Sequence, residues 1–133
     1  MRIGALLAWV ALGLGLASCS HPRPRYVFPP AETPAVGTVV EGVASWYGPG
    51  YDGNRTSSGE VFDQDALTAA HYNWAFGTKV RVTLLSTGKS AIVLINDRFP
   101  NHKGRVIDLS RGAARAIGLI GPGTGLVRLE VVL

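Results

Sequence analysis

The sequence is poor in cysteine, in clustered charge and in long helical patterns, and each shortage excludes something. A single cysteine among 133 residues cannot close an internal disulfide, and no second thiol supports a zinc site, so neither a metal nor a cofactor is expected. The thirteen Lys and Arg give a formal charge of +4 but never occur three in a row. A basic surface can meet nucleic acid, anionic lipid or an acidic polymer. With the charge scattered and no RNA- or DNA-binding motif beside it, nucleic acid is not an expected partner. No helical pattern of ordinary length dominates, and seventeen glycines with eight prolines argue for many turns and against a helix bundle. The length suits one compact domain rather than two. Most apolar runs are short and β-branched, as in a β-rich domain.

The amino terminus is the exception to the short runs. Arg2 supplies a positive start, and Ile3 to Ala17 are apolar or glycine throughout. That is the length of a signal-peptide core and short for a membrane-spanning helix. It ends in Leu16-Ala17-Ser18-Cys19, which resembles the bacterial lipobox. Residues 1–18 are therefore expected to be removed as a lipoprotein signal, with Cys19 the lipidated first residue. Acyl chains would hold the protein at a bilayer without spanning it. Ser20, where an inner-membrane retention signal would carry Asp, favours the outer membrane, facing the periplasm. Residues 19–37 hold five of the eight prolines and no apolar periodicity. They are expected to form a disordered tether, with the folded domain occupying residues 38–133.

Within that domain Val39–Tyr47 reads as a strand. A glycine-rich loop follows, Gly48 to Glu60, of a length that is unusual in a small domain and often functional. Tyr47 and Tyr51 offer flat faces that suit sugar rings, or they simply pack over the core. Val61-Phe62 reads as a short strand and residues 65–72 as a short helix, with Asp65 as cap and His71 in the last turn. Val80, Val82 and Leu84 alternate with Lys79, Arg81 and Thr83, as in a half-exposed strand. Ser86–Lys89 turns the chain back into a hairpin partner. That partner, Ala91 to Ile95, is an unbroken apolar run and reads as a strand buried on both faces. It delivers Asn96, Asp97 and Arg98 without a spacer. Asp97 is either a rigidly held working acid or an Asx-turn residue closing the strand. Glu60 is a second acid at a loop junction, or a solvated surface residue. Arg105–Leu109 is a further strand, Ser110 can N-cap a helix that stops at Gly118, and Leu126–Val132 alternates as a last strand. The period rules give about six strands and two short helices.

The order G-V-A-S-W-Y-G, R-T-S-S-G-E-V-F-D, L-T-A-A-H, F-G-T-K-V-R-V-T, I-N-D-R-x-P and R-V-I-D-L-S-R-G-A-A resembles the rare lipoprotein A family across roughly Gly42 to Val132. The resemblance implies a six-stranded double-psi β-barrel, related to expansins, with one or two short helices. It implies a lipoprotein of the cell envelope and an endolytic lytic transglycosylase. The expected partner is the peptidoglycan glycan strand, preferably one poor in stem peptides, and the expected products carry 1,6-anhydromuramyl ends. It places the catalytic acid on Asp97, a second functional carboxylate on Glu60 and an orienting histidine on His71. Tyr47, Tyr51 and Arg98 are candidates for substrate contact. In such a reaction the muramyl C6 hydroxyl attacks its own anomeric carbon, so one acid/base can do work that hydrolases divide between two carboxylates. Asp97 would then need a raised pKa, from burial or from a neighbouring carboxylate such as Glu60.

Three departures from the family pattern matter. Phe99 stands where a glycine is usual, which implies a reshaped loop beside Asp97. Trp74-Ala75 replaces leucine-proline. The chain stops at Leu133 without the C-terminal repeat domain that recruits many members to the septum. The alternative is a non-catalytic, expansin-like module that binds peptidoglycan.

Overall fold

The computed structural model describes residues 25–100 and 104–133. The expected signal segment, Cys19 and the start of the tether lie outside them. No helix among the described residues is long and apolar enough to cross a membrane.

The domain is a closed barrel of six strands and one helix: β1 (Val39–Tyr47), β2 (Thr68–Ala70), β3 (Lys79–Leu84), β4 (Ser90–Asp97), β5 (Arg105–Ser110), α1 (Arg111–Ile117) and β6 (Gly125–Val132). Around the barrel the strands run β1-β5-β2-β4-β3-β6. β1 with β5 and β2 with β4 are parallel, and the other neighbours are antiparallel. Closure removes every sheet edge. The alternation read in β3 and β6 is realised: Val80, Val82 and Leu84 meet Val127, Leu129 and Val131 in the interior. Ala44, Ala69, Val93, Ile95, Ile107 and Leu109 complete the core. Each large aliphatic side chain so buried contributes about 1.5–3 kcal/mol.

Helix α1 begins and ends where the sequence says. The Ser110 hydroxyl oxygen accepts the Ala113 N–H at 3.1 Å while its own O–H donates to the Ala66 carbonyl. Gly118 takes the left-handed conformation that closes the helix, at φ 80°. Ala113, Ala114 and Ile117 turn inward.

Four expectations are corrected. Residues 65–72 are not a helix. Asp63 Oδ1 accepts the Asp65 N–H at 2.9 Å in a turn, and Thr68–Ala70 then extends as β2 to fill the ladder between β4 and β5. A run of this length carries no decisive period, and the waiting ladder groups settle its conformation. Val61-Phe62 is not a barrel strand but the return arm of a narrow loop hairpin, in which the Phe62 N–H donates to the Asn54 carbonyl at 2.7 Å. β4 is not buried on both faces: Val93 and Ile95 point inward, while Ile92 is 47% exposed. Finally, the expected tether is bonded to the barrel from Glu32 onward. Glu32 N–H donates to the Asn73 carbonyl, Ala75 N–H donates to the Glu32 carbonyl, and Gly37 N–H donates to the Val131 carbonyl.

Candidate active site

Register around the barrel builds the site. Asp97 pairs with Ala70 across β4 and β2. Ala70 pairs with Asp108 across β2 and β5, and Asp108 pairs with Ser45 across β5 and β1. Ile107 and Leu109 face the core, so Asp108 between them faces outward by the two-residue period of a strand. Ala44 faces the core, so Ser45 and Tyr47 face outward too. On β4 Ile95 faces the core two residues before Asp97, but a register shift between Ala69 and Ala70 aligns Asp97 with the outward Ala70, so the row Asp97–Ala70–Asp108–Ser45 crosses the outer wall of the barrel, beneath the loop of residues 48–60. A cavity of about 280 Å³ opens there, lined by Tyr47, Tyr51, Ala70, Asp97, Arg98, Phe99, Pro100 and Asp108.

Asp97 is held from several directions. Tyr47 donates its hydroxyl to Oδ2 at 2.9 Å. Oδ1 accepts the Ser57 N–H and the Arg98 N–H, each at 2.9 Å. The Asp97 backbone carbonyl accepts the His71 N–H at 3.1 Å. Ser57 reaches the carboxylate because the loop doubles back through Thr56–Gly59, a turn closed from the Gly59 N–H to the Thr56 carbonyl at 2.9 Å. That turn needs a positive φ, 88° at Gly59, which glycine adopts without steric cost. Tyr47 is itself clamped, its ring stacked on the buried Phe62 at 4.7 Å. Burial, then the Asp97 charge and hydrogen bond, push the Tyr47 hydroxyl far above its ordinary value, so it stays a proton-bearing donor.

Asp108 is the residue that sequence reasoning passed over. Ser45 Oγ donates to its Oδ1 at 2.9 Å, and Arg105 Nη1 donates in turn to Ser45 Oγ at 3.3 Å. Burial pushes the Asp108 carboxyl above its ordinary value; the Ser45 hydrogen bond and the Arg105 charge oppose, and the Asp97 charge pushes the same way. The signal was present: an acid interrupts the apolar run Val106-Ile107-Asp108-Leu109.

The other expected residues divide. Tyr47, Tyr51, Asp97 and Arg98 share the cavity, and Tyr51 is 59% exposed at its mouth. Arg98 is already engaged: Nη1 donates to the Trp74 carbonyl at 2.7 Å, and its guanidinium carbon lies 4.1 Å from the centre of the Phe76 ring. Glu60 does not line the cavity. Its carboxylate is reached by Asn96 Nδ2 at 3.5 Å, on the residue that precedes Asp97 and does not line the cavity. The carboxylate that shares the cavity with Asp97 is Asp108 and not Glu60.

His71 lies behind the site with 2% exposure, and its ring does not line the cavity. Nδ1 accepts the Asn73 and Trp74 N–H groups at 3.2 and 3.0 Å, which puts the ring proton on Nε2. Trp74, the departure from the family pattern, stacks on the imidazole at 4.2 Å between centroids. Burial, then the Arg98 charge, pushes His71 down to about 4. Phe99 is buried and forms part of the cavity wall. Among the described residues no three His, Cys, Asp or Glu side chains cluster as metal ligands.

A family model described as lytic transglycolase matches residues 39–129. A Synechocystis sp. protein named "Probable endolytic peptidoglycan transglycosylase RlpA" is 60% identical over 94 residues, covering 71% of this chain and 29% of that protein. A Campylobacter jejuni protein named endolytic peptidoglycan transglycosylase RlpA is 50% identical over 98 residues, covering 74% of this chain and 36% of its own length. The chain thus spans about a third of these relatives. Among solved structures, the apo expansin of Clavibacter michiganensis matches the fold with a TM-score of 0.58 at 21% identity, over 72% of this chain and 51% of that one.

Proposed function

This chain belongs to the lytic transglycolase family, and from that membership we propose that it is an endolytic peptidoglycan lytic transglycosylase. The observation that carries the reading is the Asp97 carboxylate, fixed by Tyr47 Oη, Ser57 N–H and Arg98 N–H in the wall of an open groove. A general acid/base must be held where substrate can reach it, and the register shift that aligns Asp97 with Ala70, together with the return of the 48–60 loop, serves this.

The reaction joins the muramyl C6 oxygen to its own anomeric carbon and expels the N-acetylglucosamine 4-oxygen, so no water is consumed. Asp97 serves the proton transfers. Tyr51, exposed at the groove mouth, supplies a ring face for a sugar. Tyr47 and Arg98 act mainly by positioning: one orients Asp97, the other ties the segment after β2 to the end of β4. His71 is a positioning residue as well. Its ring gathers the 71–74 turn and its N–H holds the Asp97 main chain. Glu60, on the exposed rim of the loop, is assigned to holding the glycan. The substrate is the glycan strand of the cell wall, preferably peptide-poor. Lipidation at Cys19 would place the domain on the outer membrane facing that polymer; palmitate incorporation abolished by Cys19→Ser tests this.

Digesting intact and amidase-stripped peptidoglycan and reading the ends by mass spectrometry tests the activity. New 1,6-anhydromuramyl ends, lost in a folded Asp97→Asn variant, are expected. Cleavage by that variant would sink the assignment. Reducing ends would mean hydrolysis instead. No new ends, with the protein retained on the wall pellet, would establish a binding module. The placement of Glu60 outside the Asp97 cavity favours that second reading if both acids are needed together.

A further inference from the structure

We propose that Asp108 is a second catalytic carboxyl of this site, the general acid for the departing glycosidic oxygen, with Asp97 acting as the base. The inference rests on the transglycosylase reading above and divides its proton transfers between two named groups.

Geometry carries it. Asp97 and Asp108 flank Ala70 in one cross-strand row and line one cavity. Strand neighbours lie about 4.8 Å apart, so the two backbones stand about 10 Å from each other. The intervening residue, Ala70, contributes only a methyl group and lines the same cavity. Their surroundings are opposite in kind. Both Asp97 oxygens are occupied by donors, from Tyr47, Ser57 and Arg98, which suits a carboxylate that receives a proton. Among the described residues Asp108 receives one hydrogen bond, from Ser45 to Oδ1, leaving Oδ2 to present a proton. The charged and titratable groups around it are Asp97 from β4, Tyr47 from β1 and Arg105 on its own strand, while β2 offers only Ala70. Burial and the Asp97 charge both favour the protonated form of Asp108. Environments that drive two carboxyls apart in this way assign the acid and the base.

The step balances. Asp108 gives its proton to the glycosidic oxygen as the bond from that oxygen to muramyl C1 breaks, and the electron pair leaves with the new 4-hydroxyl. The C6 oxygen bonds to C1, and its proton passes to the Asp97 carboxylate. Return of one proton from Asp97 to Asp108 through solvent resets the site.

A general acid becomes dispensable when the leaving group needs no proton. The full chain is therefore assayed on peptide-free glycan and on a 4-nitrophenyl β-glycoside of N-acetylmuramic acid, with thermal melts to establish folding. Asp108→Asn is expected to lose about 10²–10⁴-fold in kcat on glycan and only a few-fold on the aryl glycoside, whereas Asp97→Asn loses both. Equal losses for a folded Asp108→Asn on the two substrates, or no loss on glycan, would overturn the assignment. Should Asp108→Asn not fold, Ser45→Ala decides. It keeps the carboxyl but removes a bond that stabilises its charged form, so the alkaline limb of kcat/KM on glycan should move to higher pH. An unmoved limb overturns the proposal. Absence of anhydromuramyl ends with the wild-type chain would instead overturn the transglycosylase reading on which it stands.

Discussion

His71 makes the domain acid-sensitive in a window that can be calculated. Its ordinary value of 6.5 falls to about 4 in the folded chain, through burial and then the Arg98 charge. Above pH 6.5 the imidazole is neutral whether folded or unfolded. Below about pH 4 it is protonated in both. In between, the unfolded chain binds a proton that the folded chain refuses, so stability present above pH 6.5 is lost as pH falls through the window. Each pH unit costs about 1.4 kcal/mol, giving up to about 3 kcal/mol in all. From pH 6.5 to 5, before most carboxylates titrate, the loss should reach about 2 kcal/mol, or about 10 °C in Tm for a domain of this size. Urea unfolding at half-unit steps of pH measures it. His71→Phe lowers stability everywhere, because the Asn73 and Trp74 N–H groups lose their acceptor, but the slope between pH 6.5 and 5 should flatten. His21 and His102 are shared by both proteins, so the difference in slope isolates His71. Equal slopes, or a His71 ring resonance that titrates near 6.5 in the folded wild type, would refute the reasoning.

Three further substitutions probe the frame around the site. Ala70→Leu puts an isobutyl group between Asp97 and Asp108, where Ala70 is 2% exposed; glycan cleavage should fall more than about tenfold while overpacking costs about 1–3 kcal/mol, as read by product release and by melting. Ser110→Ala removes the N-cap of α1 and the donor to the Ala66 carbonyl together; about 2–3 kcal/mol of stability should go, visible as a lower urea midpoint at unchanged m. Gly112→Ala would drive a Cβ into the Asp65 carbonyl oxygen, a backbone atom that cannot swing aside; about 3 kcal/mol of destabilisation is expected, and a melting temperature within a degree of wild type would contradict the packing described.

What the chain revealed beforehand followed the range of its interactions. β3, β6 and α1 were legible because their signals are local. Alternation places Val80 and Val82 opposite Leu129 and Val131, and the hydroxyl of Ser110 and the freedom of Gly118 mark the two ends of the helix. The stretch 65–72 was not legible, since the ladder that extends Thr68–Ala70 is supplied by β4 and β5 from far along the chain. Ile92 shows the same limit in another form: an unbroken apolar run does not say which of its residues the barrel leaves outside. The resemblance to a known family compensated for this at the level of architecture, and family membership is shown by the match over residues 39–129.

The site separates local from non-local in the same way. Asp97 could be singled out because it ends its strand, where an acid is conspicuous. Asp108 sits in mid-strand and becomes conspicuous only when parallel pairing of β1 with β5 and of β2 with β4 brings Ser45, Asp108, Ala70 and Asp97 into one row. Glu60 is the neighbouring carboxylate that the family resemblance suggests, at a loop junction in the sequence. Yet it reaches Asn96, the residue at the register shift between β2 and β4, which does not line the Asp97 cavity. A shift of one position along β4 thus decides which acid can share a substrate with Asp97. Any mechanism that needs two carboxyls acting together on one glycosidic bond is better served by the pair flanking Ala70 than by the pair suggested by sequence order.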